Sequence, residues 1–291
     1  MSIDKLQNKI RKLKNPSAVR FALDKTQIPP QFLERTVDLT DAYCLYAKAL
    51  LDSLKGVIPA VRFGFASFAV RGASAMTGLE QLLSYASEQG YYVLLDVPEI
   101  FSAADAQLVA DALFEEQRWR FDGLVLSLYI GSDGVKPFVN QIKKNDKDIF
   151  LTVRTGNKSA PELQELLTGS RLVYIAAADM AKRFGESYIE RSGYSRVACV
   201  GPATSADALR SLRSKYPNMF LLIDGYDYSG ANAKSCSYAF DKLGHGALAC
   251  VEEAIVSAWK EDLVGDGNAI DFALQGAERM RKNILRYITV L

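Results

Sequence analysis

Short apolar runs recur along the chain, and polar turns and helical patterns separate them. Each run is rich in Val, Ile, Leu, Phe and Tyr, as strands buried on both faces of a parallel sheet are. The runs cover residues 20–23, 57–61, 91–95, 122–126, 148–153, 196–201, 220–223 and 247–251. Eight such strands that alternate with helices favour one (β/α)8 barrel over two separate domains. The fold class we predict is therefore α/β, a single (β/α)8 TIM barrel.

Apolar residues at helical spacing fill the segments between these runs. They predict helices over residues 40–51, 78–86, 103–114, 161–184 and 272–287, the first opened by Asp38 or Thr40 and the third capped by Ser102. We assign residues 1–291 to one domain. Within it, residues 1–18 form an N-terminal helical extension and residues 268–291 hold the helix that closes the chain.

Composition and charge exclude several classes of partner. A formal net charge of +1 gives no reason to expect a nucleic acid or an anionic membrane surface. No apolar run is long enough to cross a membrane, and the basic N-terminal segment has no apolar region behind it, so we expect a cytoplasmic protein. The four cysteines are scattered and are expected to be buried free thiols. His245 is the only histidine, so we predict neither a metal site nor a cofactor.

The segment from Leu94 to Phe101 is the most informative part of the chain. It joins the end of the third strand, at Asp96, to a capped helix, and the carboxyl ends of barrel strands are where such folds carry their chemistry. The segment resembles the signature of the orotidine 5'-monophosphate decarboxylase family, in which Asp-x-Lys-x-x-Asp closes the third strand. The loops at residues 128–138, 153–164, 200–204 and 224–230 are similar to those of the bacterial long-chain branch of this family.

The resemblance implies a catalytic Lys-Asp-Lys-Asp array, and this chain matches it at one position. Asp96 is the first carboxylate, whereas Arg62 stands for the first lysine, Pro98 for the second lysine and Phe101 for the last carboxylate. Arginine barely donates a proton near neutral pH, and proline has no donor. The array that stabilises the carbanion and protonates it is therefore expected to be lost.

The same resemblance implies a nucleotide site that has also changed. Glu253 takes the position of the phosphate-binding arginine, Ser229 that of a glutamine, and Gly156 that of the serine that contacts the pyrimidine. A carboxylate at the phosphate position repels a phosphate. The binding positions that remain candidates are Asp24, Lys25, Thr155, Asn157, Gly225, Tyr226, Ser229 and Gly230.

Acidic residues outnumber basic ones in the loops that should surround the barrel mouth. The acids are Asp24, Asp96, Glu99, Asp224, Asp227, Glu252 and Glu253, against Lys25, Arg62 and Arg154. Such a mouth would suit a cationic or polyhydroxylated ligand or a divalent cation, unless these charges are solvated or paired with one another.

Three functions are compatible with these residues. The first is an inactive or repurposed barrel that binds a small molecule or a protein at its C-terminal face. The second is an active decarboxylase of pyrimidine biosynthesis whose ammonium comes from Lys25, Arg71, Lys136 or Lys158. The third is another lyase that uses Asp96, Glu99 or Asp24 as a general acid or base. By resemblance to the family, a homodimer that joins the tops of two barrels is expected.

Overall fold

The structure is a closed barrel of eight parallel strands. It is a computed structural model that describes residues 3–115, 118–261 and 267–291. Around the barrel the strands follow the order β1-β8-β7-β6-β5-β4-β3-β2, so the first strand pairs with the last. This architecture confirms the predicted single (β/α)8 barrel. The strands are β1 Ser17–Phe21, β2 Ala60–Phe63, β3 Tyr92–Asp96, β4 Gly123–Ser127, β5 Asp148–Thr152, β6 Ser195–Pro202, β7 Met219–Asp224 and β8 Ala247–Val251.

Helices connect the strands and form the outer layer. They are α1 Ile3–Leu13, α2 Pro30–Leu33, α3 Leu39–Leu54, α4 Phe65–Ala69, α5 Ala73–Glu88, α6 Ala103–Glu115, α7 Ser132–Val139, α8 Ile142–Asn145, α9 Pro161–Gln164, α10 Val173–Gly185, α11 Ala206–Lys215, α12 Ala233–Ser237, α13 Glu253–Val256 and α14 Ala269–Leu285. Single 3-10 turns cover Lys25–Gln27, Glu186–Tyr188 and Ala258–Glu261. No helix among the described residues is long and apolar enough to span a membrane.

Several predicted elements differ from the structure; the second strand, for example, is Ala60–Phe63 where residues 57–61 were predicted. The first strand spans Ser17–Phe21, whereas residues 20–23 were predicted. Ala22 and Leu23 are buried in the connection that follows the strand, so the apolar pattern continues past the end of the strand. The helix predicted over residues 161–184 is interrupted by an antiparallel pair, Leu167–Thr168 with Arg171–Leu172. Gly169, at a φ of +64°, makes the turn between these two strands, a conformation that glycine adopts without strain.

Helix α1 closes the N-terminal end of the barrel. Ile3, Leu6 and Ile10 are fully buried against the side chains inside the barrel, which include Tyr92 and Phe220. The first two residues of the predicted N-terminal extension lie outside the described residues. With one end filled by α1, the loops at the opposite, carboxyl ends of the strands are left to form a site.

A carboxylate is buried in the barrel wall near this closed end. Asp148, at the start of β5, has no exposed surface; it accepts a hydrogen bond from Tyr92 Oη at 2.6 Å and one from Arg196 Nε at 2.9 Å. Burial raises the pKa of Asp148 to about 7, although Tyr92 and Arg196 both act to lower it. The barrel thus contains a titratable group far from the mouth.

Candidate functional site

A cavity of about 560 Å³ opens at the carboxyl ends of the strands. Its floor is polar, with Arg20 and Arg62 from β1 and β2 and Asp96 from the end of β3. Ser127 and Thr152 add two hydroxyl groups to the lining. One wall is apolar and is made by Val97, Pro98, Ile100, Phe101 and Ile130. The cavity therefore lies where a barrel of this kind carries its chemistry.

The floor of the mouth is a continuous ion-pair network. Arg62 Nε lies 2.6 Å from Asp96 Oδ1, and Arg62 Nη1 lies 2.8 Å from Asp224 Oδ1. Arg20 Nη1 lies 2.6 Å from Glu252 Oε2, and Arg20 Nε lies 3.7 Å from Asp96 Oδ2. Two guanidinium groups therefore alternate with three carboxylates across the barrel.

Arg20 is the member of this network that the sequence analysis missed. It is the register partner of Arg62 on the neighbouring strand, so the two side chains project side by side. Its position shows in the sequence only as a charge inside an otherwise apolar strand. A charge in such a strand needs a partner of opposite charge, so this pattern could have indicated that Arg20 takes part in an ion pair.

The chemistry open to Arg62 is limited by its surroundings. Burial lowers the pKa of Arg62, but Asp96 and Asp224 together more than offset this effect, so the pKa stands well above its usual value. The side chain is 9 % exposed and holds a carboxylate on each side. Arg62 can therefore fix a charge, but it has no proton to give near neutral pH.

The loop after β8 brings two carboxylates to the position where the resemblance places a phosphate. Gln27 Nε2 donates to Glu252 Oε1 at 2.7 Å and to Glu253 Oε1 at 3.0 Å. The Glu252 amide donates to Asp227 Oδ2 at 2.6 Å. Burial raises the pKa of Asp227, and this amide partly offsets the rise. A small space between Arg20, Tyr228 and Glu252 has a volume of about 20 Å³, which is room for one water molecule.

Tyr228 covers the neighbouring glycines. A Cβ on Gly225 would lie 2.4 Å from the Tyr228 ring, and one on Gly156 would lie 3.1 Å from it. Gly225 also has a φ of +76°, which disfavours any side chain there. Glycine at both positions thus lets the tyrosine ring lie flat across the loops after β5 and β7.

The other predicted binding residues do not line the large cavity. Asp24 accepts from the Thr26 amide at 2.8 Å and caps the 3-10 turn, while Lys25 is exposed. Thr155 Oγ1 donates to Asn157 Oδ1 at 2.6 Å. The pKa of Tyr226, which is half-buried, is raised to about 12 by burial. Ser229, Gly230 and Asn157 are exposed, and Arg154 pairs with Glu165 instead of facing the mouth.

Two of the positions that depart from the family pattern, Pro98 and Phe101, line the cavity. Pro98 is in the apolar wall, and the Phe101 side chain is 79 % exposed at the edge. No lysine lines the cavity among the residues that the structure describes. Within the same residues, no group of three or more His, Cys, Asp and Glu side chains could hold a metal ion.

Comparison with known proteins supports the resemblance seen in the sequence. An orotidine 5'-phosphate decarboxylase of Petrotoga mobilis is 27% identical over 286 residues, 98% of each chain. That of Clostridium acetobutylicum is 28% identical over 285 residues, 98% of this chain and 99% of the relative. The structure of Leishmania donovani OMP decarboxylase matches with a TM-score of 0.72 and 24% identity, covering 97% of this chain and 100% of that one. No family model matches the chain.

Proposed function

We propose, for a chain that is related over nearly its whole length to orotidine 5'-phosphate decarboxylases, that the barrel has lost decarboxylation and holds a different small ligand at its mouth. The observation that carries this proposal is the state of the four array positions. Arg62 is fixed between Asp96 and Asp224, Pro98 offers no ammonium, and Phe101 offers no carboxylate.

The missing ammonium is the larger loss. Decarboxylation leaves a carbanion that must be stabilised and then protonated inside a desolvated pocket. Without a lysine among the described residues that line the cavity, about 10 kcal/mol or more of transition-state stabilisation would have to come from elsewhere. Arg20 and Arg62 cannot supply it, because carboxylates already hold both guanidinium groups.

The mouth also disfavours a nucleotide monophosphate. Each carboxylate 4 Å from a phosphate charge costs about 4 kcal/mol at the effective dielectric constant of a protein surface. Glu252 and Glu253 stand where the resemblance places the phosphate, and the small space beside Glu252 holds no more than a water molecule. Arg20 neutralises part of this charge but does not open the space.

The names of the relatives favour a second candidate, an active decarboxylase with relocated catalytic groups. Lys136 lies 3.8 Å from Asp133 on α7, and Lys25 and Lys158 are exposed, so each lysine proposed for this role has a solvated or paired position instead of one in the cavity.

The decisive experiment follows the absorbance of orotidine 5'-monophosphate with a large excess of purified protein. We expect the decay to equal that of buffer, and we expect neither this nucleotide nor uridine 5'-monophosphate to raise the melting temperature. An active relative assayed in parallel shows that the substrate is intact. Decay that exceeds the buffer rate and disappears in the Asp96→Asn variant would support the active decarboxylase and overturn the proposal.

A homodimer that joins the tops of two barrels is the second part of the proposal. Apolar side chains are exposed in the segments that follow β3 and β5: Phe101 at 79 %, Leu108 at 68 %, Leu163 at 57 % and Leu167 at 74 %. Burying such side chains against a second copy would remove apolar surface from water. The buried, unpaired cysteines fit the cytoplasmic location that we propose.

Light scattering at tens of micromolar tests the dimer. We expect twice the mass of the chain, and we expect Phe101→Asp to shift the equilibrium toward monomer because it places a charge in the interface. Ile189→Asp is the matched control, since Ile189 is 51 % exposed near the opposite end of the barrel. A wild-type monomer, or an equal effect of both substitutions, would contradict a dimer through the mouth.

A further inference from the structure

A second polar cavity lies at the opposite end of the barrel from the mouth. It has a volume of about 400 Å³ and is formed by one face of α1, the turn before β6 and the turn before β8. The side chains that matter for its chemistry are Asp4, Gln7, Arg11, Arg191, Ser192 and His245.

The walls of this cavity are fixed by hydrogen bonds between distant parts of the chain. The Gly246 amide donates to Gln7 Oε1 at 2.9 Å, and the Ser192 amide donates to Asp4 Oδ1 at 2.9 Å. Arg11 Nε lies 3.0 Å from the Leu291 carbonyl oxygen. The cavity is therefore preformed, which lowers the cost of binding a ligand there.

Two buried polar atoms of the cavity residues have no partner. Gln7 Nε2 and Ser192 Oγ are both inaccessible to solvent and lack a hydrogen-bond partner among the described residues. The Gln7 residue as a whole is 3 % exposed. Buried donors without partners are rare in folded proteins, and an ion or an ordered water is one explanation for them. Both atoms belong to residues that line the same cavity, and both can donate a hydrogen bond.

The charge around the cavity favours an anion. Among the described side chains that line it, Arg11 and Arg191 are cationic and Asp4 is the one carboxylate. The Arg191 guanidinium makes no hydrogen bond or ion pair with any described residue, so its donors are available. Guanidinium groups and neutral donors together match the oxygens of a phosphate.

We propose that this cavity binds a phosphate group, either free or as the head of a small phosphomonoester. Arg191 and Arg11 supply the charge, and Ser192 and Gln7 supply neutral donors after a small adjustment of their side chains. The volume exceeds that of a bare phosphate, which leaves room for the rest of a monoester. The site is separate from the mouth, so the test of phosphate binding here does not depend on the function proposed above.

The test titrates inorganic phosphate, and in a second arm glycerol 3-phosphate, into the full chain at constant ionic strength, with binding read by calorimetry. We expect one saturable site. Arg191→Gln should weaken it by about tenfold and Ser192→Ala by about threefold to tenfold, as lost charged and neutral hydrogen bonds do. The matched control is Arg71→Gln. Arg71 is exposed at the other end of the barrel and pairs with no described residue, so this variant should bind phosphate as tightly as the wild type.

Ser192→Ala separates this site from a merely structural serine. It removes a hydroxyl without a partner, so the melting temperature in phosphate-free buffer should stay the same or rise while affinity for phosphate falls. Tighter binding of the monoester than of inorganic phosphate would identify the head of a metabolite as the ligand, and the reverse would identify free phosphate. Absence of saturation in both arms, or equal weakening by Arg71→Gln, would overturn the proposal.

Discussion

Replacing Arg62 by methionine is expected to lower the free energy of unfolding by about 3 kcal/mol, the lower end of the range for breaking a buried ion pair. Methionine keeps most of the side-chain volume but leaves Asp96 and Asp224 without their shared cation. The lower end applies because these carboxylates are 19% and 30% exposed, so that water screens part of their repulsion, and because Arg20 remains 3.7 Å from Asp96. Urea denaturation at neutral pH measures the difference.

The matched control combines Arg62→Met with Asp224→Asn. Removing one of the two stranded carboxylates should restore part of the lost stability, whereas Asp224→Asn alone removes one partner of an intact arginine. A loss of stability below about 0.5 kcal/mol in Arg62→Met alone would mean that the network behaves like a solvated surface pair. In that case Arg62 would be free to bind a ligand, because its charge would not be neutralised by Asp96 and Asp224.

The stability of the protein is expected to fall between pH 4 and pH 7 because of Asp148. The pKa of this buried carboxyl is raised from 3.8 to about 7, so the folded state holds its proton more tightly than the unfolded chain does. The resulting stabilisation is complete below pH 4 and is lost as the pH rises through 7. A rise in the pKa from 3.8 to about 7 corresponds to about 4 kcal/mol of stability.

Asp148→Asn isolates this contribution, since asparagine can still accept the Tyr92 hydrogen bond but does not titrate. Unfolding free energies of both proteins, measured in urea from pH 4 to pH 8, should show the wild type losing stability relative to the variant as the pH rises. The opposite trend would mean that Asp148 is ionised in the folded protein and held by Arg196.

The sequence located the barrel because its signals are local. A buried parallel strand is a short apolar run, and β3, β5 and β8 lie within one residue of the runs that predicted them. Strand β1 was shifted because buried residues after a strand carry the same pattern as the strand itself. Periodicity measures burial, and it cannot separate a strand from an equally buried connection.

The site could be predicted only in part, for a different reason. The resemblance identified Asp96 as the matched position and Arg62 and Glu253 as altered ones, but it gave no indication that Arg20 would neutralise Glu252. These two residues are 232 positions apart and meet only because β1 pairs with β8 when the barrel closes. Contacts across that closure depend on strand register, and continuous apolar runs lack the alternation of apolar and polar residues that specifies register.

The pairing of Arg20 with Glu252 constrains how this chain could change over evolutionary time. Placing a cation in the loop after β8 would do little while Glu252 remains, and removing Glu252 alone would leave Arg20 beside Arg62 with Asp96 as their common partner. Each single change toward a phosphate-binding mouth is therefore unfavourable until the other has occurred. Substitutions at these positions are expected to be epistatic, so that the effect of one depends on whether the other is present.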